Sequence, residues 1–129
     1  DLKWLVCNST LVVGMVSSVL NRDVKQYGKK YMFDGNEETC WNSDQGELQW
    51  VILEFPQSVK VSELKVQFQG GFSAKTCTLE GKTLRLSFPP SHFNEAHAVD
   101  KVKIMFENSA DFFGRLIVYS LDVLGEKAS

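Results

Sequence analysis

Apolar residues stand at every second position in several short runs, and this alternation limits the possible folds more than any other feature of the sequence. Such runs span residues 64–68 and 102–106. A period of two places the apolar side chains on one face of a strand and the polar side chains on the other. Gly70 and Gly71 end the first run. Helical spacing is weak and is limited to residues 93–99. Many short strands separated by turns predict an all-β sandwich.

The length and charge of the chain limit its organisation and its partners. A chain of 129 residues can form one domain with one core, and we expect a single domain over residues 1–129. The formal net charge is −2 at pH 7, which argues against electrostatic attraction to nucleic acid or to an anionic membrane. No apolar run is long enough to span a bilayer. We therefore expect neither a nucleic-acid partner nor a membrane partner.

The three cysteines, Cys7, Cys40 and Cys77, indicate a chain without a disulfide framework. Their number is odd and their spacing shows no pairs, and no Cys-x-x-Cys motif or Cys/His cluster predicts zinc. We expect three reduced thiols, which are typical of an intracellular protein. Each cysteine is predicted to act as a small buried apolar residue.

Two tryptophans, Trp41 and Trp50, bracket a polar loop. They could stack on a sugar ring, but each one opens or adjoins a predicted strand, so we place both in the core. Residues 50–55 are predicted to form a buried strand. We expect this strand to end at Pro56, because proline cannot donate a hydrogen bond to a neighbouring strand.

Short motifs over nearly the whole chain fit one domain family. They are Val16-Ser17-Ser18, Asp34 with Thr39 and Trp41, Gln49-Trp50-Val51 with Leu53, and Leu121-Asp122-Val123-Leu124-Gly125. In this order and spacing they resemble the discoidin, or coagulation-factor C-type, branch of the galactose-binding-like domains. The resemblance implies a discoidin-like jelly-roll β-sandwich that acts as a binding module and not as an enzyme.

The resemblance also draws attention to the segment between two predicted strands, residues 76–79 and 83–88. Only three residues, Glu80, Gly81 and Lys82, join these strands, whereas more residues would be expected in a discoidin-like domain. Either the hairpin is tight or a flexible loop is missing from the sequence at this place.

Longer segments resemble a more specific family of small intracellular repressors that associate with an orphan nuclear receptor. These segments are residues 16–22, 37–46, 68–72, 111–115 and 123–127. The resemblance implies a protein that binds the receptor directly and limits its activation of transcription, and we expect the protein to be a monomer. It also implies a location in the nucleus, with the cytoplasm as a second location.

The polar loop of Asn42, Ser43, Asp44 and Gln45 is one candidate for partner binding. These side chains could form hydrogen bonds with a sugar, a peptide or a protein surface. The alternative is a solvated loop of ordinary turn residues, and the sequence favours neither. We select the loop because binding residues commonly lie on loops that a rigid scaffold supports.

The second candidate for partner binding comprises Phe112, Phe113 and Arg115. Two adjacent aromatic side chains cannot both point into the core from an extended backbone, so we expect at least one to be exposed. An exposed Phe beside an Arg is typical of an interface hot spot. The alternative is a loop that buries both aromatic rings and pairs Arg115 with Asp111. We favour the interface.

The acidic turn that contains Asp34, Asn36 and Thr39 could hold calcium, which binds several oxygen ligands. Calcium-binding relatives of the discoidin type often add a Glu from the last strand, but the corresponding place here falls at or near Ser120. The alternative is an Asx turn, in which Asp34 or Asn36 accepts hydrogen bonds from local backbone amides. We favour the Asx turn and expect no cofactor, with calcium as the alternative.

The competing functional class is a lectin-like or calcium-binding module for ligand recognition. A glycan site needs an exposed aromatic beside hydrogen-bonding groups in a concave surface. A calcium site needs about six converging oxygens. An enzyme would need a nucleophile beside a base, and His92 and His97 lie in a polar loop after Pro89-Pro90 with no Ser or Cys at a nucleophile turn. We expect no catalytic site.

Overall fold

A computed structural model describes residues 2–6, 12–79, 82–86, 91–92 and 98–128. The strands in these residues are β1 (Lys3–Trp4), β2 (Val13–Val16), β3 (Trp41–Asn42), β4 (Gln49–Phe68), β5 (Ala74–Leu79), β6 (Lys82–Arg85), β7 (Ser91–His92), β8 (Val99–Ser109) and β9 (Ile117–Lys127). The helices are α1 (Val24–Tyr27) and two 3₁₀ turns, Leu20–Arg22 and Lys29–Met32. The predicted all-β class is therefore correct.

The long strand β4 connects the two layers of the sandwich. Its first part pairs with β2 and β8, and its last part pairs with β9. The register with β8 shifts between Glu54 and Val59, where Pro56 is exposed. A strand that changes sheets commonly bends in this way. The prediction that Pro56 ends the strand is wrong, because the proline lies at the bend, where a ladder hydrogen bond is not required.

The other strands extend the two layers. β5 pairs with β8, and β6 pairs with β5, so the first layer has the order β2-β4-β8-β5-β6. In the second layer β9 pairs with β1, β3 and the last part of β4, and β7 also pairs with β4. Leu79 lies opposite Lys82 in the β5–β6 pair, as in a tight hairpin, although the two connecting residues lie outside the described part of the chain.

The core confirms the alternation that the sequence predicts. Val102, Ile104 and Phe106 on β8 are buried, whereas Lys101 before them and Lys103 between the first two are exposed. On the first part of β4 the residues that face the core are Gln49, Val51, Leu53 and Phe55. Trp41 is completely buried. Burial of these apolar side chains supplies the main stabilisation of the sandwich.

Trp50 does not lie in the core, so its predicted position is wrong. It is half-buried on the outer face of the sheet, and the Lys103 ammonium lies 5.1 Å from its ring centroid. The physical reason is the phase of the strand. Gln49 faces inward, and the alternation then turns Trp50 and Ile52 outward.

Short helical turns occupy residues 20–32 and lead into the acidic turn. The Asp23 side chain accepts a hydrogen bond from the Gln26 amide and so caps α1. The weak helix signal over residues 93–99 cannot be compared, because residues 93–97 lie outside the described part and Val99 begins β8. None of the helices in the described residues is long and apolar enough to cross a bilayer.

Two of the three cysteines lie in the described residues, and both are free thiols. Cys77 is fully buried in the core, and burial together with the Glu107 carboxylate raises the pKa of its thiol to about 12. Cys40 is half-buried, and its thiol lies 3.2 Å from Oδ1 of Asn42. Cys7 lies outside the described residues.

Candidate functional site

The two loops that the sequence selects for partner binding meet at one end of the sandwich. The polar loop joins β3 to β4, and the aromatic loop, residues 110–116, joins β8 to β9. The Gly46 amide donates to the Phe113 carbonyl at 2.9 Å, and the Ser43 amide donates to the Leu116 carbonyl at 2.9 Å. These backbone bonds fix the position of one loop against the other.

Glycine is required where the two loops touch. Gly114 has a φ of +81°, and a Cβ built on it would lie 2.1 Å from the Gly46 carbonyl oxygen. Gly46 itself has a φ of +145°. Since a side chain would collide with backbone and not with a flexible group, an alanine at position 114 must separate the loops or shift the backbone.

We expect Gly114→Ala to lower the free energy of unfolding by about 2 kcal/mol. Alanine is strained at a positive φ, and its Cβ would also collide with the Gly46 carbonyl. The measurement is urea unfolding. The matched control is Gly70→Ala, since Gly70 has no atom within 4 Å of the position of a Cβ and no positive φ. An equal loss in both variants would contradict the account of this contact.

An ion pair closes the aromatic loop from within. The Asp111 carboxylate accepts hydrogen bonds from Nε of Arg115 at 2.9 Å and from Nη2 at 3.0 Å. It also accepts from the backbone amides of Phe113 and Arg115. The pairing with Arg115 that the sequence left as an alternative is therefore present, and Arg115 supports the loop through Asp111.

The bonds from Arg115 hold the pKa of Asp111 at about 2, below its ordinary value of 3.8. A carboxyl whose folded-state pKa is depressed adds stability above its ordinary pKa and loses that contribution as the pH falls. We expect the difference in stability between the wild type and Asp111→Asn to shrink as the pH falls from 3.8 to 2. Urea unfolding of both proteins across this range is the measurement, and a constant difference would contradict the prediction.

Both aromatic side chains of the loop point into solvent. Phe112 is 94% exposed and Phe113 is 52% exposed, which confirms the prediction that at least one is exposed. The two rings pack edge to face, with centroids 5.2 Å apart. The Arg115 guanidinium lies 5.5 Å from the Phe113 ring centroid and 5.4 Å from that of Phe72. Phe113 is therefore partly supported, whereas Phe112 projects freely.

These rings border an open groove of about 730 Å³. We call it the aromatic groove, and its lining includes Gln45, Glu47, Leu48, Glu107, Phe112 and Phe113. Leu48 is 58% exposed, so the groove combines three exposed apolar side chains. Contiguous exposed apolar surface of this kind is typical of an interaction site.

The structure divides the predicted polar loop into supporting and accessible residues. Ser43 is buried, and its hydroxyl accepts from the Leu116 amide at 2.8 Å and donates to the Asp44 carbonyl. It leaves no surface for a partner to contact, so its selection as a binding residue is not supported by its position. Asn42 and Asp44 are half-buried, and only Gln45 of the four lines the aromatic groove.

Gln49, which the sequence did not single out as a site residue, holds the polar loop in place. Its side-chain oxygen accepts hydrogen bonds from the hydroxyls of Ser17 at 2.5 Å and Ser18 at 2.8 Å. Its amide nitrogen donates to the Asp44 carbonyl at 3.0 Å. A glutamine in phase with the core-facing residues of β4 was the available signal, since a buried amide must find hydrogen-bond partners.

The acidic turn forms the hydrogen bonds of consecutive Asx turns. The Asp34 carboxylate accepts from the Asn36 amide at 2.9 Å and from the Thr39 hydroxyl at 2.6 Å, and Oδ1 of Asn36 accepts from the Glu38 amide at 2.9 Å. In the described residues no group of three His, Cys, Asp or Glu side chains could hold a metal ion. Each Asp34 oxygen already has a donor from its own loop, so the arrangement fits an Asx turn better than calcium, which stays an untested prediction.

Solved structures establish the fold family. The chain superposes on the F5/8 type C domain of a Bacteroides fragilis protein with a TM-score of 0.74 at 12% identity, covering 97% of this chain and 98% of that one. It superposes on the C-terminal domain of a chitobiase from the same organism with a TM-score of 0.72 at 14% identity, covering 98% and 100%. The predicted discoidin-like jelly-roll β-sandwich is confirmed.

Sequence comparison gives the family. No protein-family model matches the chain. It is 64% identical to the nuclear receptor 2C2-associated protein of Danio rerio over 137 aligned positions, covering 95% of this chain and 96% of the relative. This alignment is longer than the 129-residue chain, so the relative has residues without a counterpart here. The human nuclear receptor 2C2-associated protein is 53% identical, covering 95% and 96%. The chain belongs to the family of nuclear receptor 2C2-associated proteins.

Proposed function

We propose that this chain is a monomeric protein-binding module that binds an orphan nuclear receptor of the 2C2 type directly and represses its activation of transcription. The relatives are named as proteins associated with nuclear receptor 2C2. We propose the nucleus as the place of action, with the cytoplasm as a second location, and no catalytic role.

The observation that carries the proposal is the exposure of Phe112 on a loop that the rest of the site holds firmly. The side chain of an almost fully exposed Phe contributes almost nothing to the stability of the fold, because its ring remains in water. The loop below it is held by the Asp111–Arg115 pair and by the contact of Gly114 with the polar loop. The surface is therefore preformed, and little conformational entropy of the loop is lost when a partner binds.

The composition of the aromatic groove also favours a protein partner. Apolar anchors such as Leu48, Phe112 and Phe113 beside polar groups such as Gln45 are the mixture found at the centre of protein interfaces. The glycan alternative uses the same surface, because a sugar also needs an exposed aromatic beside hydrogen-bonding groups. A direct comparison of the two ligands therefore belongs in the test.

The test is a calorimetric titration of the 129-residue chain with the ligand-binding domain of receptor 2C2, once with calcium and once with a chelator. Saturable binding in both buffers is the expected result, since the acidic turn is closed by its own hydrogen bonds. Binding only with calcium would restore the metal site at Asp34. If the receptor gave no heat and galactose did, the lectin-like alternative would replace the proposal.

Repression needs a separate measurement, because binding alone does not establish it. We expect co-expression of the chain to lower transcription from a reporter gene that receptor 2C2 activates. A variant that no longer binds the receptor should leave reporter activity unchanged at the same protein level. Equal repression by that variant would show that repression does not depend on direct binding.

A further inference from the structure

We infer that the partner segment bound by the aromatic groove is apolar and is flanked by Lys or Arg residues. The inference rests on the proposed function and deepens it by giving the chemistry of the partner. It follows from three properties of the groove, namely its apolar anchors, its unbalanced negative charge and the fixed position of one of its carboxylates.

The apolar part of the partner is required by Leu48, Phe112 and Phe113. All three side chains are more than half exposed and line one groove. Removal of such surface from water is the main source of affinity at an interface. A partner segment that lacked apolar side chains would leave the Phe112 ring without a complementary contact.

The charge of the groove selects between an acidic and a basic partner. Three carboxylates line it, those of Glu47, Glu107 and Asp111, and no Lys or Arg is among the described residues that line it. Arg115 balances the charge of Asp111. Among the Lys and Arg residues whose side chains the structure describes, none forms an ion pair with Glu47 or Glu107, so these two carboxylates give the groove a negative charge. They would repel an acidic segment and attract a basic one.

The two remaining carboxylates differ in mobility. Glu47 is exposed, and a charge in that position acts mainly on the rate of association and on its salt dependence. Glu107 is half-buried, and the Thr78 hydroxyl donates a hydrogen bond to its carboxylate. Glu107 therefore offers a fixed oxygen that can orient a Lys or Arg of the partner relative to the Phe112 and Phe113 rings.

The first experiment measures the affinity of receptor 2C2 for the wild type, for Glu47→Gln/Glu107→Gln and for Phe112→Ser/Phe113→Ser. At low salt, about 0.05 M NaCl, we expect the double Gln variant to bind about 5- to 10-fold more weakly than the wild type. At about 0.5 M NaCl screening should remove most of that difference. Glu37→Gln/Glu38→Gln is the matched control, because it makes the same change in net charge outside the groove.

The second experiment replaces the receptor by two synthetic peptides that share one apolar core and differ only in flanking Lys or flanking Glu residues. Each peptide is added to the ¹⁵N-labelled chain, and the amide resonances of Leu48, Phe112 and Phe113 are followed. The shifts of these resonances give the affinity of each peptide. We expect the Lys-flanked peptide to bind at least about ten times more tightly than the Glu-flanked peptide.

The outcomes separate this inference from the proposed function. If the Phe variant loses receptor binding while the double Gln variant matches the wild type at low salt, the groove binds the receptor but the basic flank is wrong. If the wild type does not bind the receptor, direct binding fails, and the peptides still decide the chemistry of the groove. Equal binding of both peptides, or binding of neither, would overturn the inference.

Discussion

Phe112→Ser/Phe113→Ser should weaken the binding of receptor 2C2 about a hundredfold and leave the fold intact. Truncation of one aromatic hot spot commonly costs about 2 kcal/mol or more of binding free energy, and adjacent hot spots are not additive. Phe112 is 94% exposed and contributes little to stability, whereas Phe113 is 52% exposed and packs against Arg115, so the free energy of unfolding should fall by only about 1 kcal/mol. Calorimetric titration and urea unfolding give the two quantities.

The control for this variant is Val24→Ser, which removes another exposed apolar side chain. Val24 is 62% exposed in α1 and does not line the aromatic groove. The control should bind the receptor with the affinity of the wild type. If both variants lost affinity equally, nonspecific apolar contact would explain binding and the groove would have no special role.

Arg115 is a poor choice for such a test, although the sequence suggests it as a contact residue. Its guanidinium is committed to Asp111 and packs against Phe72 and Phe113. Replacement by Ala would release the loop as well as remove a charge. A loss of affinity would then report the shape of the loop and not a contact with the partner.

Trp41→Ala should lower the free energy of unfolding by about 3–5 kcal/mol, the largest stability effect expected of a single residue here. Trp41 is completely buried, and its indole nitrogen donates to the Ser18 carbonyl at 2.8 Å. The substitution leaves a cavity and an unpaired carbonyl beside the polar loop. Because a domain of this size commonly has about 5–15 kcal/mol of stability, the variant should unfold at a much lower urea concentration.

Trp50→Ala is the matched control for Trp41→Ala. Trp50 has the same side chain but is half-buried on the outer face of β4, with Lys103 over its ring. We expect a loss of about 1–2 kcal/mol, because only part of the ring is removed from water in the folded state. Equal losses for the two tryptophans would contradict the assignment of Trp50 to the outer face.

The fold class was predictable from the sequence because every second residue of β8 from Val102 to Phe106 is apolar. Val102, Ile104 and Phe106 follow a strict period of two, and all three are buried. The phase of β4 was harder to predict. A Trp next to a Gln suggests that the Trp faces the core, whereas here Gln49 faces inward because its amide links Ser17 and Ser18 to the polar loop.

The exposure of the aromatic loop was predictable, but its neighbours in space were not. Two adjacent Phe residues indicate at least one exposed ring, and this depends on local geometry alone. The contact between Gly46 and Gly114, and the place of Leu48 and Glu107 in the same groove, depend on how distant strands pair. Ser43 was selected for its polarity. Its supporting role was not predictable, because its hydrogen bond to Leu116 joins segments far apart in the sequence.

The most direct test of the central claim is to map where the receptor touches the chain. The ¹⁵N-labelled chain would be titrated with the unlabelled ligand-binding domain of receptor 2C2, and amide resonances would be followed by NMR. We predict that the largest changes fall on Gln45, Leu48, Phe112 and Phe113, with little change on the outer face around Trp50. Changes centred on that outer face, or no changes at saturating receptor, would contradict the claim that the aromatic groove is the receptor-binding surface.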